Sequence, residues 1–187
     1  MLKSPEIIKK YFEYFPQDKK NLLLLDKQRR EKNNIFTRKN FTGHIVANSL
    51  IINKDKVLTV FHNFLKMYLQ PGGHVEQGDQ SVLQTALRET REETGINDCW
   101  LFDWHKKTQI PIFIESHLIP ENPKKKEKQH YHHDFMYVFK TKTKDINLQA
   151  EEVSDFSWAD IETVLNNDPD SFLSKSLKRM IKLGIIE

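Results

Sequence analysis

Apolar positions first recur at helical spacing near the N-terminus, where Ile7, Ile8, Tyr11, Phe12 and Phe15 share one face. The spacing predicts helix over residues 5–31 in two pieces separated by Pro16, within a packing appendage that occupies residues 1–40. The period then shortens. Ile45–Ile52 and Val57–His62 read as strands around a polar Asn53-Lys54-Asp55-Lys56 turn. Trp100–Trp104, Ile110–Ile119 and Tyr131–Lys140 are further predicted strands, the last two joined by a Pro- and Lys-rich loop, Pro120–Gln129. Helical spacing returns at residues 159–166 and 171–183, with Phe172, Leu173, Leu177, Met180 and Ile181 on one side of the second. No repeat or Gly/Ser-rich linker divides the chain. Strands thus dominate the middle around one strongly marked helix, Ser81–Thr94, which predicts a mixed α+β fold.

Composition narrows the class. A chain of 187 residues suits one domain with a substantial core. Lys plus Arg is 29 against 26 for Asp plus Glu, a net charge of +3 that makes no electrostatic case for nucleic acid or a membrane surface. Apolar runs such as Leu22–Leu25 fall far short of the roughly 20 residues that a membrane-spanning helix needs. Lys9 and Lys10 interrupt any signal-peptide core. Cys99 is the single cysteine, so neither an intrachain disulfide nor a Cys-rich zinc site can form. A soluble, cytoplasmic protein is expected.

Glycine is rationed and then concentrated. Of six glycines, Gly72, Gly73, Gly78 and Gly95 fall within one short stretch that ends in the marked helix. Ser81 followed by Gln84 is a capping-box pattern, and Gly95 supplies a left-handed stop. Val82, Leu83, Ala86, Leu87 and Thr90 fill one arc of this helix, with Glu89 and Glu93 at its edge and Glu92 just beyond. That placement works against folding. Glu89 and Glu93 are like charges one turn apart, which costs about 0.2–0.5 kcal/mol. Glu92 and Glu93 also face the negative end of the helix dipole, at about 0.3–1 kcal/mol each. A divalent cation would turn these costs into a reason. Three carboxylates and a carbonyl from the glycine loop make a hard-oxygen set suited to magnesium or manganese.

The segment from Gly73 to Ile96 resembles the signature of the Nudix hydrolases, G-x5-E-x7-R-E-U-x-E-E-x-G-U with U apolar. Gly73 matches the first glycine, and Arg88-Glu89, Glu92-Glu93, Gly95 and Ile96 match the second half. One extra residue before Arg88 shifts the isolated acidic position to Asp79 or Gln80, and Thr90 replaces an apolar residue. The Gly-Gly-His-Val-Glu-x-Gly-Asp form resembles a bacterial branch of that family. Flanking strands extend the resemblance to roughly residues 41–165, so it implies a Nudix domain over 41–187 with the N-terminal helices added to it. The implied fold is an α/β/α sandwich with a mixed sheet between helices. The implied reaction is cleavage of a nucleoside diphosphate linked to another group, by water and Mg2+, with Mn2+ able to substitute. By resemblance, the Gly73 carbonyl with Glu89, Glu92 and Glu93 would hold the metal. Glu92, Glu93 and Arg88 would form the catalytic set, Arg88 by orienting the glutamates. The base is a box glutamate in many relatives and a distant loop acid in others, for which Glu151 and Glu152 are the candidates here.

Histidines are the second oddity. In His130-Tyr131-His132-His133-Asp134, strand alternation puts His132 and Asp134 on one face with Met136 and Val138, and His133 on the other. Two readings follow: a transition-metal site with His117 as a third ligand, or hydrogen-bonded histidines lining a pocket, the commoner outcome. His74, His132 and Asp134, with Glu151 and Glu152, are the candidate substrate contacts. The Lys124–Lys128 run reads as solvated. The expected partner is a small nucleotide, and monomer and homodimer remain open. Two other classes compete. A nucleotide-sensing module without turnover would share the fold, but such regulators have eroded boxes. An isoprenoid isomerase would need a cysteine acting with a glutamate, and Cys99 falls at no matching place.

Overall fold

An eleven-residue strand buried from end to end, β1 (Gly43–Asn53), organises the fold. It turns through Lys54-Asp55 into β2 (Lys56–His62), followed by two short strands, β3 (Met67–Leu69) and β4 (Gly72–His74). Next come α3 (Val82–Thr94), β5 (Trp100–Leu101), α4 (Asp103–Thr108), β6 (Phe113–Ile119), β7 (His130–Lys140) and β8 (Val153–Asp160). Two helices close the chain, α5 (Ile161–Asn167) and α6 (Phe172–Lys182). Two others, α1 (Glu6–Tyr14) and α2 (Leu23–Arg30), open it around a 3-10 turn at Pro16–Asn21. The computed structural model describes residues 5–123, 126–149 and 153–187. Lys124 and Lys125 of the lysine run, and both Glu151 and Glu152, lie outside them. Among the described residues no helix is long and apolar enough to cross a membrane.

The sheet is mixed. β1 and β7 pair in parallel from Gly43↔Tyr131 to Ile52↔Lys140, and the remaining strand pairs are antiparallel. The backbone order is β3-β2-β1-β7-β5, with β4 on β1, β6 on β7 and β8 on β2. Alternation sorts the core into two layers. Ile45 and Ala47 of β1 and Phe135, Tyr137 and Phe139 of β7 pack with Val82 and Ala86 of α3 and the apolar face of α1. Leu50, Ile52, Met136 and Val138 point the other way, onto Leu173, Leu177 and Met180 of α6. Tyr11 and Asp18 meet Arg179 of α6, which donates to Asp18 Oδ2 at 2.5 Å and Oδ1 at 3.0 Å, so the opening segment is tied to the closing helix.

Three expectations need correction. Trp100–Trp104 is not one strand: the chain leaves the sheet after Leu101 and forms α4. The reason is His105, whose Nδ1 meets Ile110 O at 2.7 Å and whose Nε2 accepts from Val138 N at 3.0 Å, a bridge that requires a helical turn there. The predicted strand at 110–119 begins only at Phe113. The helix predicted at 159–166 begins at Ile161, because Ala159 and Asp160 still pair with β2 in β8, a strand with too many polar residues to stand out in the pattern.

Candidate active site

The marked helix starts and stops as its sequence dictates. Ser81 Oγ accepts from Gln84 N at 3.2 Å, and Gly95 ends α3 at φ 69°. Gln84 completes the cap one residue early, accepting from Gln80 N at 2.7 Å. Two of the three glutamates are drawn inward: Glu89 is 8% exposed and Glu93 4%, whereas Glu92 is exposed. Both buried carboxylates converge on the glycine loop. Glu93 Oε2 accepts from Gly72 N at 3.3 Å. Gly73 abuts Glu89 so closely that a Cβ added there would lie 2.2 Å from its Oε1.

Arg88 binds loop and helix together. Its Nη1 meets Glu89 Oε1 at 2.9 Å and Glu92 Oε2 at 2.7 Å, while Nη2 donates to His74 O at 2.8 Å. Nε and Nη2 also reach the two oxygens of Asp79, each at 3.2 Å. Asp79 accepts from Glu76 N and Thr85 Oγ1 as well, both at 2.9 Å. Burial alone would raise the Asp79 pKa. The Arg88 guanidinium, with those two donors, overrides it and holds the carboxyl below its usual value. Desolvation likewise opposes the Arg88 charge, but Asp79 and Glu89 more than offset it and push its pKa up. The acidic position displaced by the extra residue is therefore a partner of Arg88 that buttresses the loop, a role its sequence position did not reveal.

On the other face of β4 the histidines gather. Gly73 pairs with Ala47 and His74 with Val46, so consecutive residues of β4 face α3 and the opposite side of the sheet. There His74 meets His44 of β1 and His132 of β7, with ring centroids 4.8–5.1 Å apart in the trio. Ring nitrogens of these three lie within 4.8 Å of one another. Burial holds the rings neutral, pushing His74 down to about 4 and His132 to about 2. His117 is not in this trio, although it sits opposite His132 in register. Its Nδ1 pairs with Asp134 Oδ2 at 2.7 Å, which raises its pKa. Asp134 Oδ1 accepts from Asn48 Nδ2 at 3.0 Å, and Gln70 Nε2 donates to Asn48 Oδ1 at 3.0 Å, a polar chain that sequence reasoning missed. His133 faces the α2 side and bonds Gln28 Oε1 and Ser116 Oγ.

The structure thus brings Gly73, Arg88, Glu89, Glu92 and Glu93 together on the α3 side of β4, and His74, His132 and Asp134 on the other. On the way to the loop acids, the described chain reaches Gln149, whose N donates to Glu93 O at 3.4 Å at the end of α3. Glu151 and Glu152 themselves fall outside the described residues.

Comparison with known proteins gives a consistent picture. The NUDIX domain family matches residues 43–180. A protein of Lactococcus lactis subsp. cremoris described as a "Probable DHNTP pyrophosphohydrolase" is 32% identical over 102 residues, 54% of this chain and 57% of that protein's own length. The match therefore spans little more than half of that relative. The fold resembles the Caenorhabditis elegans Ap4A hydrolase, at a TM-score of 0.53 and 17% identity, covering 75% of this chain and 97% of that one. It also resembles the Escherichia coli dihydroneopterin triphosphate pyrophosphohydrolase, at a TM-score of 0.55 and 15% identity, covering 72% and 92%. At those identities the likeness concerns the fold alone, a mixed sheet flanked by helices.

Proposed function

This chain belongs to the NUDIX domain family, and from that premise we propose that it is a divalent-metal-dependent pyrophosphohydrolase. Its substrate would be a nucleoside diphosphate linked to another group, cleaved by water attack on phosphorus. The observation that carries this reading is the convergence of the buried Glu89 and Glu93 carboxylates on Gly72 and Gly73. The donor set fits the cation: oxygen only, anionic, and backed by a position where no side chain has room. The Gly73 carbonyl with Glu89, Glu92 and Glu93 would hold Mg2+, or Mn2+ in its place. When bound, such an ion supplies Lewis acidity toward phosphoryl oxygens and acidifies a water.

The chain's own residues do the rest. Arg88 fixes Glu89 and Glu92 by two ion pairs and clamps the loop through His74 O, so the carboxylates are oriented before substrate arrives. Asp79 holds Arg88 from behind. A carboxylate takes the proton of the attacking water, either a box glutamate or one of Glu151 and Glu152, which come two and three residues after Gln149 in the sequence.

The test is product release from a panel of nucleoside triphosphates, dinucleoside polyphosphates, ADP-ribose-type diphosphates and pterin triphosphates in Mg2+ and Mn2+. Glu93→Gln, Glu151→Gln and Glu152→Gln run alongside. Turnover of one class, lost by several orders of magnitude in Glu93→Gln, supports the proposal, and the remaining pair tells which acid is the base. Tight nucleotide binding with no turnover would overturn it in favour of a sensing module.

A further inference from the structure

We propose that His44, His74 and His132 form a second cation site that takes a borderline transition metal of the Zn2+ class. It would lie on the face of β4 opposite the carboxylates and would not depend on them. Three strands supply the ligands, and their nitrogens already stand within 4.8 Å of one another. A tetrahedral ion with Zn–N bonds of about 2.0–2.1 Å needs nitrogens about 3.4 Å apart, so small ring rotations close the gap.

The surroundings are built as they are around histidine ligands. His44 is 2% exposed, and its Nδ1 meets Asn40 O at 3.1 Å, which makes that nitrogen the donor and leaves Nε2 with a lone pair. That Nε2 is fully buried and has no hydrogen-bond partner. A buried polar atom without a partner calls for an explanation, and a cation among three imidazoles provides one. His130 supports the trio. Its Nδ1 meets Lys128 O at 2.6 Å, so its Nε2 is an acceptor and fixes the His132 ring from 3.2 Å away.

Ligand chemistry separates this site from the one on α3. An all-imidazole set favours Zn2+, Co2+ or Ni2+ over Mg2+, which demands oxygen. Asp134, the nearest carboxylate on the same strand face, is engaged by His117 and Asn48. The two sites are also mechanically linked. Gly73 and His74 are neighbours, and His74 O is held by Arg88. An ion across β1, β4 and β7 would therefore anchor the glycine loop from behind.

The experiment uses the full chain, stripped with chelator and titrated with Co2+ and Zn2+ in the presence of excess Mg2+. One equivalent of Co2+ should bind with the intense visible absorption of a tetrahedral nitrogen site, and Zn2+ should displace it. Binding should persist in Glu93→Gln and weaken at least about 100-fold in His74→Gln and in His132→Gln, each checked for a native circular-dichroism spectrum. Because His74 and His132 are partly exposed, whereas His44 is buried, these variants spare His44 and the fold with it. Co2+ binding that survives both histidine changes, or that disappears in Glu93→Gln, would overturn the proposal. So would the absence of a spectral change at millimolar Co2+, or loss of nucleotide affinity alone in the histidine variants, which would make the rings substrate contacts. Failure of the pyrophosphohydrolase reading leaves these outcomes unaffected, since none requires turnover.

Discussion

Substituting Gly73 by Ala separates what the glycine loop does for the site from what it does for the fold. The added Cβ would sit 2.2 Å from Glu89 Oε1 and 2.4 Å from its Cδ. Ordinary contact begins at about 3.4 Å, so the carboxylate must retreat by about 1.2 Å. The obstacle is the end of a three-torsion side chain and not backbone, so the fold can yield at a cost of about 0.5–1.5 kcal/mol, that of one poor rotamer. For a chain of this size that is about 2–4 °C of Tm per kcal/mol. The proposed metal site has no such slack, because a misplacement of about 1 Å in a positioned group forfeits about 100-fold in rate. Gly72→Ala makes the opposite case. Its Cβ would meet Ala47 O at 2.6 Å and Asn48 Cα at 3.0 Å, backbone of the buried strand β1, and should cost about 1–3 kcal/mol of stability. Gly78→Ala meets nothing within 4 Å and should be neutral or stabilising by about 0.4–1 kcal/mol. Thermal unfolding and Mn2+ affinity, read by electron paramagnetic resonance without any substrate, measure all three. Gly73→Ala should stay close to wild type in Tm while losing Mn2+ affinity and turnover. Undiminished Mn2+ affinity and turnover in Gly73→Ala, or a stability loss equal to that of Gly72→Ala, would refute the reasoning.

The remaining predictions concern the buried charges that support the site and the fold. Asp79 has a lowered native pKa, so its contribution is complete above the unfolded value of about 3.9 and disappears as pH falls through the native one. The stability gap between wild type and Asp79→Asn, from urea unfolding, should hold constant above pH ~5 and narrow below pH ~4; an unchanged gap at pH 3.5 counts against the Arg88 clasp. His105 is pushed down to about 4 by burial, so the unfolded chain takes up its proton first as pH falls below about 6.5. It should remove stability at up to about 1.4 kcal/mol per pH unit from there to about 4, and a ring proton resonance titrating near 6.5 would exclude its bridging role. Arg179→Ala leaves Asp18 and Tyr11 without their cation and should cost about 2–4 kcal/mol, less than a fully buried pair because both partners keep some solvent contact. Limited proteolysis should then cut the segment around residues 16–31 first, and unaltered resistance there would show that packing alone holds it.

The parts of the fold that were legible are those whose determinants are local. α3 carries its cap, its stop, its buried arc and its acidic residues within the fifteen consecutive positions from Ser81 to Gly95, so periodicity alone places them. β1 and β7 were nearly as plain, because their buried central stretches carry apolar residues toward both faces, Ile45–Ala47 and Leu50–Ile52 in one and Phe135–Phe139 in the other. The missed elements owe their conformation to partners distant in sequence. β3 and β4 are three residues each and exist because they pair with β2 and β1. α4 overrides a strand-like Trp-Leu-Phe-Asp-Trp run because His105 must reach both Ile110 and Val138.

The histidines show the same limit within the site. Alternation along β7 correctly put His132 and Asp134 on one face, and the structure sets His117 of β6 opposite His132 in register. Adjacency, however, does not assign a ligand. Asp134 stands two residues along the same face and claims the His117 ring, since a carboxylate offers an imidazole a better partner than a second neutral imidazole does. The place beside His132 then belongs to His44, which lies across the other edge of β7 through the parallel pairing His44↔His132. A parallel pairing between strands some ninety residues apart leaves no trace in either strand's own pattern, since a shift of two residues would keep every side chain on its face. What fixes the register is packing against α3 and α6 together. The trio of imidazoles therefore emerges only when the two halves of the core close on the same sheet.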